Sequence, residues 1–235
     1  MATTEVTTSL IKDLAGNTTD LTRGANSGSS TDDPTFNDDG EFSADSYFSF
    51  DGGDFIRCGA SDAWQNTFHK DNAVLTIMCV HWLPVTHGNG YVFYTADGVA
   101  GMIGCRLLPA HVSADTAEFS VRSAGGQPFA ATSTTACVEG AWNFILISLT
   151  EATGAGGGFW HVNGTNDTAF DSTYTSPDAS AADDPLTIGA HGGMSGGLLD
   201  NGSRIGALAA WTSALTTTNA SAIYDAMDGV YDFGN

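Results

Sequence analysis

Along most of the chain apolar residues recur at every second position or in short unbroken runs, and the 3.6-residue spacing of a helix emerges only near the end. Three runs, AVLTIMCVHWLPV (73–85), WNFILISL (142–149) and RIGALAAW (204–211), are apolar on both alternating faces. Runs of that length, rich in β-branched and aromatic residues and bounded by Gly, Asp or Pro, predict strands buried inside a sandwich. Shorter strands are predicted in YFSFDG (47–52), YVFYTA (91–96), AEFSVRS (117–123), FWHVNG (159–164) and LTIGA (186–190). Asn163-Gly164 is a favoured pair for a type I′ turn and predicts a hairpin there. TTTNASAIYDAM (216–227) opens on cap-competent residues and spaces Ala220, Ile223, Tyr224 and Met227 as one helical face. No strand–helix alternation is present, so the pattern predicts an all-β protein: an antiparallel jelly-roll β-sandwich with one short C-terminal helix.

The length of 235 residues fits one large sandwich around a single core. Residues 1–10 read as an N-terminal arm and residues 11–235 as a single domain. The polar stretch 16–46 stays with the domain, because Leu21, Phe36 and Phe42 are spaced to anchor a long loop. TGAGGG (153–158) is a turn, too short to separate domains.

Charge narrows the partners. Seven basic residues stand against 27 acidic ones, a formal charge of −20. Such a surface repels phosphate backbones and anionic headgroups, so nucleic-acid and membrane partners are disfavoured. Most of the acids are Asp, a turn and cap residue, which assigns much of the charge to loops. MATTEVTTSLIKDLAG lacks a basic n-region and a long apolar run, which predicts cytoplasmic synthesis without a signal peptide. Cys58, Cys79, Cys105 and Cys137 lack metal-binding spacing and read as buried free thiols.

Candidate chemistry is sparse. GMSGG (193–197) matches a nucleophile elbow, but a turn and a strand follow it where the motif needs a helix, so Ser195 is discounted. The five Glu are isolated, and adjacent Asp pairs such as Asp183/Asp184 point opposite ways in an extended chain. His81 reads as a core residue. His87 and His191 lie in Gly-rich loops from which a ring could reach a ligand, with nothing in the sequence to pair them. Trp82, Trp142 and Trp211 read as core, whereas Trp64 and Trp160 lie in more polar surroundings and are candidate exposed platforms. FDGGD (50–54) and LLDNGS (198–203) could supply some oxygen ligands for calcium.

In order, YFSFDGGDFIRCG, AVLTIMCVHWLPV, GAWNFILISL, GFWHVNGTNDT, PLTIGAHGG and SRIGALAAWTSALTTTNASAIYDAM resemble the laminin-G-like, concanavalin A-like lectin/glucanase superfamily over residues 12–228. DLTRGANSGSSTDDPTF leading into YFSFDGGDF is similar to the opening of laminin-G-like structural proteins of tailed bacteriophages. The acidic strand signatures of the superfamily's enzymes are missing, so the resemblance implies a non-catalytic module. It implies a virion-surface structural protein, decorating a head or forming part of a fibre or tail appendage. Its partners would be other virion proteins, with the chain a homo-oligomer or multicopy on the particle. The alternative is a glycan-binding adhesion module for a host-surface glycan, calcium-assisted, with Asp51, Asp54, Trp160, His191 and Asp200 as its candidate rim. A polysaccharide hydrolase is the weakest of the three readings.

Overall fold

The computed structural model describes the backbone of residues 5–7 and 10–12, together with residues 21–25, 30–38, 43–59, 65–96, 101–167, 169–194 and 196–234. In chain order the strands are β1 (Glu5–Thr7), β2 (Leu10–Lys12), β3 (Leu21–Arg23), β4 (Thr35–Asn37), β5 (Tyr47–Ser49), β6 (Ile56–Cys58), β7 (Val74–Leu83) and β8 (Phe93–Tyr94). They continue with β9 (Gly104–Leu108), β10 (Thr116–Ser123), β11 (Gly126–Ala136), β12 (Ala141–Thr150), β13 (Gly158–Val162), β14 (Thr165–Asn166), β15 (Thr187–Ile188) and β16 (Arg204–Trp211). A helix, α1, spans Thr217–Tyr231. The strands form a nine-stranded sheet, β1-β2-β3-β6-β15-β8-β9-β10-β11, and a seven-stranded sheet, β14-β13-β12-β7-β16-β5-β4, packed as a sandwich. The pairings are antiparallel, as expected of a jelly roll.

The double-faced apolar runs have a direct cause. On one face of β7 and β12, Leu75, Ile77, Cys79, Ile145, Ile147 and Leu149 join the core between the sheets. On the other face, Met78, Val80, Trp142, Phe144 and Leu146 form a second core with Ala220, Tyr224, Tyr231 and Phe233 from the helical C-terminus. A sheet covered on both faces needs apolar residues at consecutive positions, and this is what the runs record.

Thr216 caps α1 in a capping box with Asn219. The helix passes the predicted stop at Met227 and continues to Tyr231, because Tyr231 and Phe233 carry the second core further: the Tyr231 ring lies 5.0 Å from Trp142, and Phe233 lies 6.0 Å from Phe144. Gly206 makes this approach possible, since a Cβ there would sit 2.5 Å from the Tyr231 ring. No described helix is long and apolar enough to cross a membrane.

The predicted hairpin turn and the predicted buried thiols are both present. Asn163 and Gly164 both take positive φ, 44° and 78°, and join β13 to β14 in the predicted hairpin. All four cysteines are free and buried, and burial pushes the Cys105 and Cys137 thiols up to about 12. Residues 5–7, within the stretch read as an arm, pair with 10–12 at the edge of the nine-stranded sheet.

Two readings of tryptophan are corrected. Trp160 is 1% exposed and belongs to the core between the sheets, because the period-2 alternation of β13 turns Trp160 and Val162 inward. Trp82 and Trp211 are only partly buried against the second core, which leaves Trp142 as the buried member of that trio. Trp64 lies outside the described residues. Trp160→Ala is expected to destabilise the fold by about 3–5 kcal/mol, as measured by urea denaturation.

Candidate functional site

The antiparallel registers bring five connections to one end of the sandwich. Leu83 ends β7 opposite Ala141, and Arg204 begins β16 opposite both Trp82 and Ser49. The loops 50–55, 84–92, 109–115, 137–140 and 199–203 therefore emerge side by side. Backbone hydrogen bonds join them: Phe50 N–H donates to the Ser203 carbonyl at 2.9 Å, Gly140 N–H to Leu83 at 2.7 Å, and Cys137 N–H to Asp115 at 2.8 Å. Short polar loops held on a packed scaffold are a common setting for binding sites.

Between these loops and the strand edge lies an open groove of about 520 Å³, lined by Ser30, Thr31, Asp33, Thr35, Tyr47, Ser49, Asp51, Asp54, Asn201 and Arg204. Its volume falls in the range of small-ligand sites. The Arg204 guanidinium packs over two rings, 4.8 Å from the centroid of Tyr47 and 5.0 Å from that of Trp82. Held by cation–π contact, and making no ion pair among the described residues, Arg204 presents its planar fork of donors beside hydroxyls and carboxylates.

Two of the sequence candidates meet in this groove. Asp51 is exposed, and its carboxylate accepts a hydrogen bond from Gly53 N–H at 3.0 Å. Asp54 is 4% exposed and accepts from Asp51 N–H at 2.7 Å. Burial pushes the Asp54 carboxyl up to about 6; the nearby Asp51 and Asp33 charges add to this, and the Asp51 N–H opposes it.

Asp200, in the 199–203 loop, is one residue from Asn201 but does not itself line the groove. Its carboxylate accepts from Gly88 N–H and, with His81, His87 and Ser203, lines a separate cavity of about 10 Å³. Beside that cavity His87, Asp115 and Glu139 converge from three different loops, their ligand atoms within 4.8 Å of one another. The sequence offers little to link these three, because 28 and 24 residues separate them along the chain. The same loops carry exposed valines: Val85, Val112 and Val138 are 69%, 52% and 53% exposed.

His191 is not part of this rim. It lies in the loop over the nine-stranded sheet, 6.2 Å from the Tyr94 ring and beside Gly196. That outer face carries Arg57, paired with Asp184 at 3.2 Å, and Arg106, which donates to Glu118 at 3.0 Å and to the Tyr91 hydroxyl at 2.7 Å. Trp160, in the core, is also excluded from the rim, and Ser195 lies outside the described residues. Asp183 and Asp184 have structural roles: one accepts from Ile103 N–H and the other pairs with Arg57. Sequence reading missed Arg204, Tyr47, Asp115 and Glu139. The usable signal for Arg204 was an isolated cation directly after the DNGS turn.

With the geometry in hand, comparison with known proteins adds the fold class. No family model matches the chain, and no curated protein sequence is similar to it. Among solved structures it is similar to botulinum neurotoxin type C, in a study of cell entry that depends on interaction with two ganglioside molecules: TM-score 0.61 at 8% identity, covering 92% of this chain and 48% of that one. It is similar to domain 4 of AbnA, a GH43 extracellular arabinanase from Geobacillus stearothermophilus, in complex with arabinotriose: TM-score 0.57, 16% identity, 90% and 91% coverage. It is similar, too, to Trypanosoma rangeli sialidase: TM-score 0.59, 12% identity, 96% and 32% coverage. The chain thus spans about half the length of the neurotoxin chains it matches. At these identities the likeness defines a jelly-roll β-sandwich and nothing finer.

The raised Asp54 carboxyl makes a signed prediction. Its ordinary value is 3.8 and its folded value about 6, so the native state holds the proton more tightly than the unfolded chain. Stability from this group is full below about pH 4, declines between about pH 4 and 6, and is lost above that window. Asn at position 54 keeps a side-chain acceptor for Asp51 N–H and carries no charge. The melting temperature of Asp54→Asn relative to the natural chain is therefore expected to rise from about pH 4 to about pH 6 and then level off, as followed by thermal unfolding across buffers.

Proposed function

We propose that the chain is a non-catalytic glycan-binding module, with the groove between the 30–35, 47–54 and 201–204 segments as its sugar site. The observation that carries this reading is Arg204, held over Tyr47 and Trp82 in a groove otherwise furnished with hydroxyls, an amide and carboxylates. Sugars offer hydroxyls that donate and accept, and such a groove supplies both kinds of partner around one oriented cation. The neighbours support the same reading, since one depends on gangliosides and another holds arabinotriose.

Calcium assistance belongs to the proposal, with Asp51 and Asp54 as the groove's rim carboxylates and Asp200 in the neighbouring 199–203 loop. The setting we propose is a virion surface. The likeness of DLTRGANSGSSTDDPTF and YFSFDGGDF to tailed-phage structural proteins supports it, and the chain would be present there in many copies beside other virion proteins, after cytoplasmic synthesis. Co-sedimentation of the chain with intact particles tests that setting; its absence from washed particles contradicts it.

Glycan-array binding of the purified chain, with calcium and with chelator, tests the module itself. Saturable binding is expected, and Arg204→Ala and Asp51→Ala should each weaken it by about tenfold or more, roughly 1.4 kcal/mol, while leaving circular dichroism unchanged. Loss of binding with chelator shows that a bound cation supports it. No binding under either condition, or binding that both variants retain, refutes the groove as a sugar site.

A further inference from the structure

His87 is almost enclosed, its side chain 4% exposed, and both ring nitrogens are committed. Nδ1 lies 3.2 Å from the Gly88 carbonyl oxygen, while Nε2 lies 2.9 Å from Asp115 Oδ1 and 3.8 Å from Glu139 Oε1. A carbonyl only accepts, so Nδ1 carries a proton. In neutral imidazole Nε2 is then a lone pair, and it faces two carboxylates that are acceptors as well. Three acceptors within 4.8 Å of one another require either a proton between them, on the ring or on a carboxyl, or a metal ion. The Nδ1–H to carbonyl bond is the arrangement that orients a metal-ligating histidine through its other nitrogen.

A second observation concerns the space that His87 borders. His81 is 2% exposed, both of its ring nitrogens lack a hydrogen-bond partner, and it lines the cavity of about 10 Å³ that His87 also lines. A buried imidazole without partners is a costly arrangement in a finished core, and this one borders, together with His87, a space about the size of one water molecule. Asp115 takes a left-handed backbone, φ 55°, in the turn that delivers its carboxylate to His87.

We propose that His87, Asp115 and Glu139 form a binding site for a zinc-class divalent cation at the loop end of the sandwich. One imidazole nitrogen with two carboxylate oxygens suits Zn²⁺, whose tetrahedral shell would leave one position open to water or to a ligand hydroxyl. Calcium prefers six to eight oxygen ligands and is disfavoured by the nitrogen. Binding displaces any proton on Nε2, which passes to solvent as the metal takes its place. The site stands independently of the sugar groove.

The test is equilibrium dialysis of the chelator-treated full chain against Zn²⁺, Mn²⁺ or Ca²⁺, with bound metal measured by mass spectrometry. One Zn²⁺ per chain is expected, with Ca²⁺ bound far more weakly. Glu139→Gln, at a carboxylate whose side chain is 43% exposed, and Asp115→Asn, where Asn tolerates the left-handed backbone, should each reduce Zn²⁺ affinity by about tenfold to a hundredfold with unchanged circular dichroism. A histidine ¹⁵N spectrum should show the His87 Nε2 signal moving when Zn²⁺ is added. Zn²⁺ binding that both variants retain, no Zn²⁺ binding at all, or a His87 signal that remains that of a doubly protonated ring in saturating Zn²⁺ overturns the proposal.

Discussion

The structure depends on covering both faces of two strands. β7 and β12 pair over ten residues each, and neither face of that ribbon can be left in water. The nine-stranded sheet takes one face, while α1 and the residues after it take the other. Because both layers bear on the same ribbon, its register is fixed twice: a slip of one residue would exchange the two apolar sets, and with them every inter-strand contact. The loop end inherits this rigidity. Leu83, Ala141, Trp82 and Arg204 are placed by paired strands, so the loops that follow or precede them start from fixed points.

Charge organises the surface of this scaffold. In a chain of net charge −20, an unpaired surface cation would ordinarily be expected to attract a carboxylate. Arg57 and Arg106 are partnered in this way on the outer face of the nine-stranded sheet. Arg204 is held instead by two rings, which orient it without neutralising it. Its charge stays available to the groove, which Asp51 and Asp54 also line, and among the described residues it forms no ion pair. Buried carboxylates elsewhere serve the fold: Glu151 accepts backbone N–H groups from Asn72 and Tyr174, and Asp167 accepts those of Thr134 and Thr135.

Much of the fold was legible because local chemistry and global packing agree. Asn163-Gly164 specifies its turn through two positive φ values, and the unbroken apolar run of 74–83 specifies burial on both faces. The end of α1 was not legible, since Tyr231 and Phe233 are held by Trp142 and Phe144, contacts across some 90 residues that no helical spacing reveals. The site was legible only in part. Asp51 and Asp54 stood out as a Gly-rich acidic turn and do line the groove. Trp160 misled because the Gly run and the Asn163-Gly164 turn around β13 are polar although the strand itself turns Trp160 into the core, and His191 because a Gly-rich loop says nothing about which end of a sandwich it reaches. Arg204, Asp115 and Glu139 take their meaning from strand register, which brings distant loops together and leaves no local signature.

The central claim is that the groove at the loop end is where this sandwich meets a glycan. Backbone amide and arginine Nε–H resonances, followed by NMR while the strongest glycan-array ligand is titrated in, test it most directly. The account predicts that the perturbed signals cluster at residues 47–54 and 201–204, with the Arg204 Nε–H among the largest. Perturbations confined to the outer face around Arg57, Tyr94 and Arg106 would contradict it.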